Sequence, residues 1–168
     1  YFFNSVGVQT IMVVATMFGQ KEIDLEQQSL IITIILIQLV AIIGAFIMSF
    51  LAKYWGNIVI LLLVTLLWAS ICISAYYLTN ATQFYGLAVM VGLLMGGIQS
   101  LSRSTYSKML PQDIEDTTAF FSFYDITEKL GIVVGLICFG LIEQITHNIR
   151  YSALSLSIFF ILGFLLLL

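Results

Sequence analysis

The sequence is short of charge. Its 168 residues include six Lys plus Arg and nine Asp plus Glu, 9% of the chain, where a soluble domain carries about a quarter. That scarcity excludes an ordinary water-soluble domain. With a net charge of −3 it also leaves no basic patch for nucleic acid. Cysteine occurs twice, at Cys72 and Cys138, each inside an apolar run. Two buried thiols fit that setting better than a disulfide or half a metal site. His147 is the only histidine and has no Cys or Asp near it at ligand spacing, so it reads as a loop histidine. No metal and no other cofactor is expected. No Ser-His pair, HExxH or His-rich cluster lies within an apolar stretch, so an intramembrane enzyme is not expected. A basic n-region followed by a cleavage site is lacking, so the first stretch is not expected to be a signal peptide. Tyr1-Phe2-Phe3 at one end and Leu165 to Leu168 at the other read as cut ends. The chain is therefore expected to be part of a longer membrane protein.

Apolar residues are abundant, at 61%. A helix needs roughly 20 of them to cross the ~30 Å hydrocarbon core, and six such stretches can be drawn. They span about 1–19, 29–52, 58–78, 84–101, 117–145 and 151–168. Polar runs separate them, among them Gln20 to Gln28 and the connection Ser102 to Asp116, which holds Pro111, the only proline. Spanning elements must be helices or a closed barrel, because lipid satisfies no backbone group. Barrel strands alternate polar and apolar, and Leu30 to Val40 and Leu61 to Leu67 do not. Six transmembrane helices follow, an all-α membrane protein embedded in the bilayer. Lys53, Arg103 and Lys108 follow the second and fourth stretches, against Lys21 and Arg150 elsewhere. That bias places the loops after helices two and four in the cytoplasm.

The polar residues inside the stretches carry the functional expectation. Projected at ~100° per residue, Gln38, Ala41, Ala45 and Ser49 share a face of the second helix. Gly92, Gly96, Gln99 and Arg103 share one on the fourth, and Ser5, Gln9, Met12 and Thr16 one on the first. The fifth stretch holds Asp125, Glu128 and Lys129, with Glu128 on the side of Gly131 and Gly135. A charge there costs at least ~2.5–3.5 kcal/mol on insertion scales, so it needs a partner or a task. Two pairings are open. Asp125 and Lys129, four apart, can pair on their own helix. Arg103, on the preceding helix near the same membrane face, can instead pair with Asp125 or Glu128. Small residues at i, i+4 also serve plain helix packing.

Gly7-Val8-Gln9-Thr10-Ile11, Gly96 to Ser104 with Lys108 to Pro111, and Phe120 to Gly131 together resemble the C-terminal half of the vacuole-effluxer-like major facilitators. The resemblance covers nearly the whole chain. It implies one six-helix half, residues 1–168, built of two inverted three-helix repeats. It also implies that helices one, two, four and five line a cavity and that three and six are peripheral. Two positions depart from the family pattern: Lys53 stands where an acidic residue is usual, and Ser5 where relatives often have Asp.

The function so implied is secondary transport of a small polar solute, an amino acid being the leading class, with proton coupling possible in principle. Gln9, Gln38, Gln99, Arg103, Asp125, Glu128 and Lys129 are the candidate substrate-binding, ion-binding or gating residues. Asp125 or Glu128 suits a proton or cationic group, and Arg103 or Lys129 suits a carboxylate. Six helices make half a cavity, so the partner is an N-terminal six-helix half or a second copy. The resemblance implies a bacterial inner membrane. The alternative is a receptor, scaffold or assembly factor that reuses the fold without transport.

Overall fold

The computed structural model describes residues 2–23, 26–110 and 117–167. Tyr1, Asp24, Leu25, Pro111 to Asp116 and Leu168 lie outside the described residues, so the reading of Pro111 within its connection is not addressed. Six helices follow one another: α1 Phe2–Ile23, α2 Gln27–Trp55, α3 Asn57–Tyr76, α4 Ala81–Met109, α5 Thr117–Thr146 and α6 Ile149–Leu167. There is no strand among the described residues. α1 (over Phe2–Lys21), α2, α3, α4 and α6 are each long and apolar enough to cross a membrane. α5, at 30 residues, is ~45 Å long at 1.5 Å per residue.

Two helices overrun their expected ends. α1 continues past Gly19 to Ile23, and α4 past Leu101 to Met109. Polarity set the expected ends, yet a helix leaving the hydrocarbon keeps its internal hydrogen bonds. In α4 the overrun is also held from outside. Tyr106 Oη donates to the Phe120 carbonyl at 3.0 Å, and Asn57 Nδ2 donates to Ser104 Oγ at 3.2 Å and Thr105 Oγ1 at 3.3 Å.

Helix pairing follows a two-fold rule. α2 packs on α4 and α5 on α1; α3 packs on α4 and α6 on α1; α3 and α6 pack on each other. Exchanging the first three helices with the last three leaves this pattern unchanged. Three crossings return the chain to the opposite side, so the second triplet runs inverted. This is the arrangement of half a major facilitator.

The reversals inside the two triplets match as well. Gly56 alone separates α2 from α3, at φ 86°, and its N–H donates to the Ala52 carbonyl at 2.9 Å. His147 follows α5, at φ 50°, and its N–H donates to the Glu143 carbonyl at 2.8 Å. Both residues sit in the left-handed region, which glycine enters freely and histidine more readily than most side chains. The lone histidine thus ends a helix.

The deepest packing lies between α3 and α6. Trp68 and Phe160 stack 5.5 Å apart, tilted by 10°, both without solvent exposure. Gly7 of α1 lies under the Phe160 ring, where a Cβ would collide with it. These nominally peripheral helices thus hold the core of the half. Their outward residues, such as Leu63, Leu66, Ile158 and Leu165, are exposed and suit lipid. Buried hydroxyls bond their own helix: Thr10 to Val6 O at 2.6 Å, Thr33 to Ser29 O at 2.7 Å and Thr65 to Leu61 O at 2.8 Å. No lone donor is carried into hydrocarbon by these residues.

Candidate functional site

Two seams, α2–α4 and α1–α5, occupy equivalent places in the two triplets. In both, the helices run side by side in the same direction. Along α2–α4, Gly92 meets Ile37 and Val40, Gly96 meets Ala41, and Ser100 meets Ser49. Along α1–α5, Gly131 meets Ser5 and Val6, and Gly135 meets Thr10. Glycine brings each pair of backbones close enough for short polar side chains to reach across.

Glu128 is placed by this contact. One turn before Gly131, it accepts a hydrogen bond from Gln9 Nε2 at 2.6 Å. The bond crosses from α1 to α5 and is partly buried. A charge-assisted bond of that length orients the carboxylate. At the far end of the same seam Lys21 Nζ lies 2.5 Å from Glu143 Oε1.

Arg103 reaches from α4 to Asp125 on α5, Nη2 to Oδ1 at 3.3 Å. Its guanidinium carbon also lies 5.8 Å from the Phe121 ring centre and 5.9 Å from that of Tyr124. Tyr106 packs on both rings, 5.9 and 5.1 Å away. The aromatic cluster thus holds the cation from one side and Asp125 from the other. The two charged side chains remain 59% and 54% exposed. Such a pair pays little desolvation and is free to separate, unlike a buried one.

Ser5, Gln9, Gln99 and Ser102 line a cavity of about 20 Å³ between α1 and α4, space for one water molecule. The Ser5 hydroxyl is buried there and has no hydrogen-bond partner in the structure. Gln99 is exposed at its rim.

Five of the seven expected residues therefore gather where α1, α4 and α5 meet: Gln9, Gln99, Arg103, Asp125 and Glu128. Two do not. Gln38 is exposed on α2, and among the described residues no hydrogen bond ties it to the others. Lys129 is exposed and shares a shallow pocket with Asp125, Ile126, Leu130 and Val133, and among the described residues no hydrogen bond ties it to the others. Asp125 is bridged by Arg103, whose guanidinium reaches it from α4, rather than by Lys129 on its own helix. Sequence reasoning missed the aromatic holders of Arg103. Their signal was present: Arg103 with Tyr106, and Phe121 with Tyr124, are spaced i, i+3 on facing helix surfaces. Asn57 was also missed. It ties the α2–α3 reversal to α4 and accepts from Lys108 Nζ at 3.1 Å.

The profile of the family described as "Vacuole effluxer Atg22 like" matches residues 1–168. An uncharacterized MFS-type transporter, YxiO of Bacillus subtilis, is 30% identical over 99% of this chain and 38% of its own length. Autophagy-related protein 22 of Eremothecium gossypii is 32% identical over 95% of this chain and 33% of its own. The same-named protein of Vanderwaltozyma polyspora is 34% identical over all of this chain and 33% of its own. The chain thus spans about a third of the length of these curated relatives. No solved structure matches it.

Proposed function

The chain belongs to the vacuole effluxer Atg22-like family, and from that premise we propose that it forms one half of a secondary transporter for a small polar solute. Amino acids are the preferred class. The observation that carries the reading is one cation and two carboxylates held around one meeting point of α1, α4 and α5. Gln9 holds Glu128 at 2.6 Å, and Arg103 meets Asp125 at 3.3 Å. A zwitterion needs both signs within a few ångströms. Arg103 can turn from Asp125 to a solute carboxylate, and Asp125 then faces its ammonium. Glu128, fixed by Gln9, takes the role of proton or cation binder. Gln99 lines the approach, Gln38 faces the wider cavity, and Lys129 serves the seam with the other half. That half is an N-terminal six-helix unit or a second copy. In this reading the protein is integral to a bacterial inner membrane, and the Gly56 end of the bundle is cytoplasmic. Rocking of one half against the other gives alternating access.

The test uses the full-length protein in proteoliposomes. A hydrogen bond to a charged group contributes ~1.5–3 kcal/mol, so Glu128→Gln should lower amino-acid uptake about tenfold or more. Thermal stability should hold, because Gln fills the same volume and a neutral amide is cheaper to bury than a carboxylate. Uptake that is unchanged, with the same pH dependence, would remove Glu128 from the site. Absence of counterflow for every amino acid tried would favour the receptor or scaffold reading.

A further inference from the structure

A wide cleft lies away from the proposed transport site. It opens at the Gly56 end, between the α2–α3 reversal and the last turns of α4, with a volume of about 660 Å³. Lys53 and Lys108 both line it, together with Ser49, Asn57, Ser104 and Thr105. Among the described residues none that lines it is acidic. Lys108 is steadied by Asn57 at 3.1 Å, and Asn57 in turn donates to Ser104 and Thr105. Lys53 is exposed, and among the described residues nothing bonds its ammonium. The first turn of α3 forms part of the wall. It carries no acidic residue and no side-chain cap, so its free N–H groups offset the carbonyl ends of α2 and α4 that finish beside it, and the two lysines carry the positive charge of the cleft.

Apolar residues continue from this basic cleft in one direction. Ile58 and Val59 line it and are exposed. Val59, Leu63 and Leu66 are spaced i, i+4, i+7 down the outward face of α3, and all three are exposed. Tyr54 and Trp55, also exposed, stand beside the reversal, as aromatic residues do at the headgroup level. A group that fits must carry negative charge with several acceptor oxygens at one end and a hydrocarbon chain at the other.

We propose that this cleft binds the phosphate of an anionic phospholipid, with an acyl chain laid along Val59, Leu63 and Leu66. The phosphate oxygens take Lys53, Lys108 and the Ser104 and Thr105 hydroxyls. Free phosphate shares the headgroup chemistry but has no use for the α3 stripe, and that difference separates the two sources.

Full-length protein in detergent is offered equal phosphatidylglycerol and phosphatidylcholine, and retained lipid is counted by native mass spectrometry. Phosphatidylglycerol should be retained preferentially. A lysine near a lipid surface contributes enough that Lys53→Gln should cut this retention about fivefold, and Lys53→Gln with Lys108→Gln about thirtyfold. Lys53→Arg should keep it. Leu63→Ser should weaken phosphatidylglycerol but not inorganic phosphate, which is read separately by competition. Melting temperature is followed for every variant; Lys53 is exposed, so its substitutions leave the fold intact. Equal retention of the two lipids would overturn the proposal, and would leave the lysines to the carboxylates of Asp113, Glu115 or Asp116 in the adjoining connection. Displacement of phosphatidylglycerol by inorganic phosphate at equal concentration, with no effect of Leu63→Ser, would overturn the lipid in favour of the free ion.

Discussion

The α2–α4 and α1–α5 seams occupy equivalent places in the two triplets, yet they are built differently. In α2–α4 both helices give up side chains: Gly44 lies on the Leu93 backbone, and Gly92 and Gly96 lie on Ile37 and Ala41. In α1–α5 only α5 does so, through Gly131 and Gly135, while α1 contributes Ser5, Val6 and Thr10. The first seam is the more extensive and is closed by backbone against backbone. The second is closed by side chains, Gln9 to Glu128 and Lys21 to Glu143. A backbone contact has one good arrangement, whereas a side-chain hydrogen bond can be exchanged for another. The carboxylates Asp125 and Glu128 thus sit on a helix of the looser seam, and Arg103 reaches Asp125 from α4 of the tighter one.

The largest expected effect comes from breaking the tighter seam. A Cβ at Gly96 would overlap the Ala41 carbonyl, and backbone cannot step aside. Gly96→Val should destabilise the full-length protein by about 3 kcal/mol or more, read as loss of folded material in detergent by size-exclusion and thermal melting. A tolerated valine would show that the seam is not held by backbone contact.

Gly135→Ala probes the looser seam and should cost less. Its Cβ would press on the Thr10 hydroxyl, which can rotate, and would lie 2.9 Å from the Val6 carbonyl oxygen. A loss of about 1–2 kcal/mol is expected, and Thr10→Ala in the same protein should recover part of it. If Gly135→Ala proves as damaging as Gly96→Val, the contrast between the seams disappears.

The smallest effect sharpens the comparison at the meeting of α4 and α5. A double-mutant cycle with Arg103→Gln and Asp125→Asn should give a coupling of about 0.6 kcal/mol, the average for polar pairs inside membranes. The exposure of both side chains keeps it small. Zero coupling would mean that the aromatic rings alone position Arg103.

Some of this was legible beforehand, and the reasons are physical. Apolar runs announce where the spans lie, because lipid demands them whatever the packing. That Arg103 would meet Asp125 or Glu128 could be foreseen from the surplus of negative charge on α5 near the same membrane face, and the bridge to Asp125 bears this out, although Gly92 and Gly96 on the shared face of α4 pack on α2. The ends of α1 and α4 were not legible, since hydropathy reports the hydrocarbon boundary and a helix may outlast it. Gln38 fell outside the cluster because shared face on α2 does not fix which neighbour that face meets. The choice between Arg103 and Lys129 as the partner of Asp125 depends on how far a side chain reaches from one helix to the next, which a single helical projection does not contain. Likewise His147 gave no sequence signal of its role, because its left-handed backbone answers to the reversal it makes.

That reversal and the one at Gly56 bear on how the chain enters the membrane during synthesis. With one residue between Trp55 and Asn57, α2 and α3 have no slack to be sorted separately. A translocon must accept them as a hairpin, 29 and 20 residues long, and whichever way α2 is oriented decides α3 as well. Lys53, three residues before the bend, therefore adds its charge to the orientation of both helices at once.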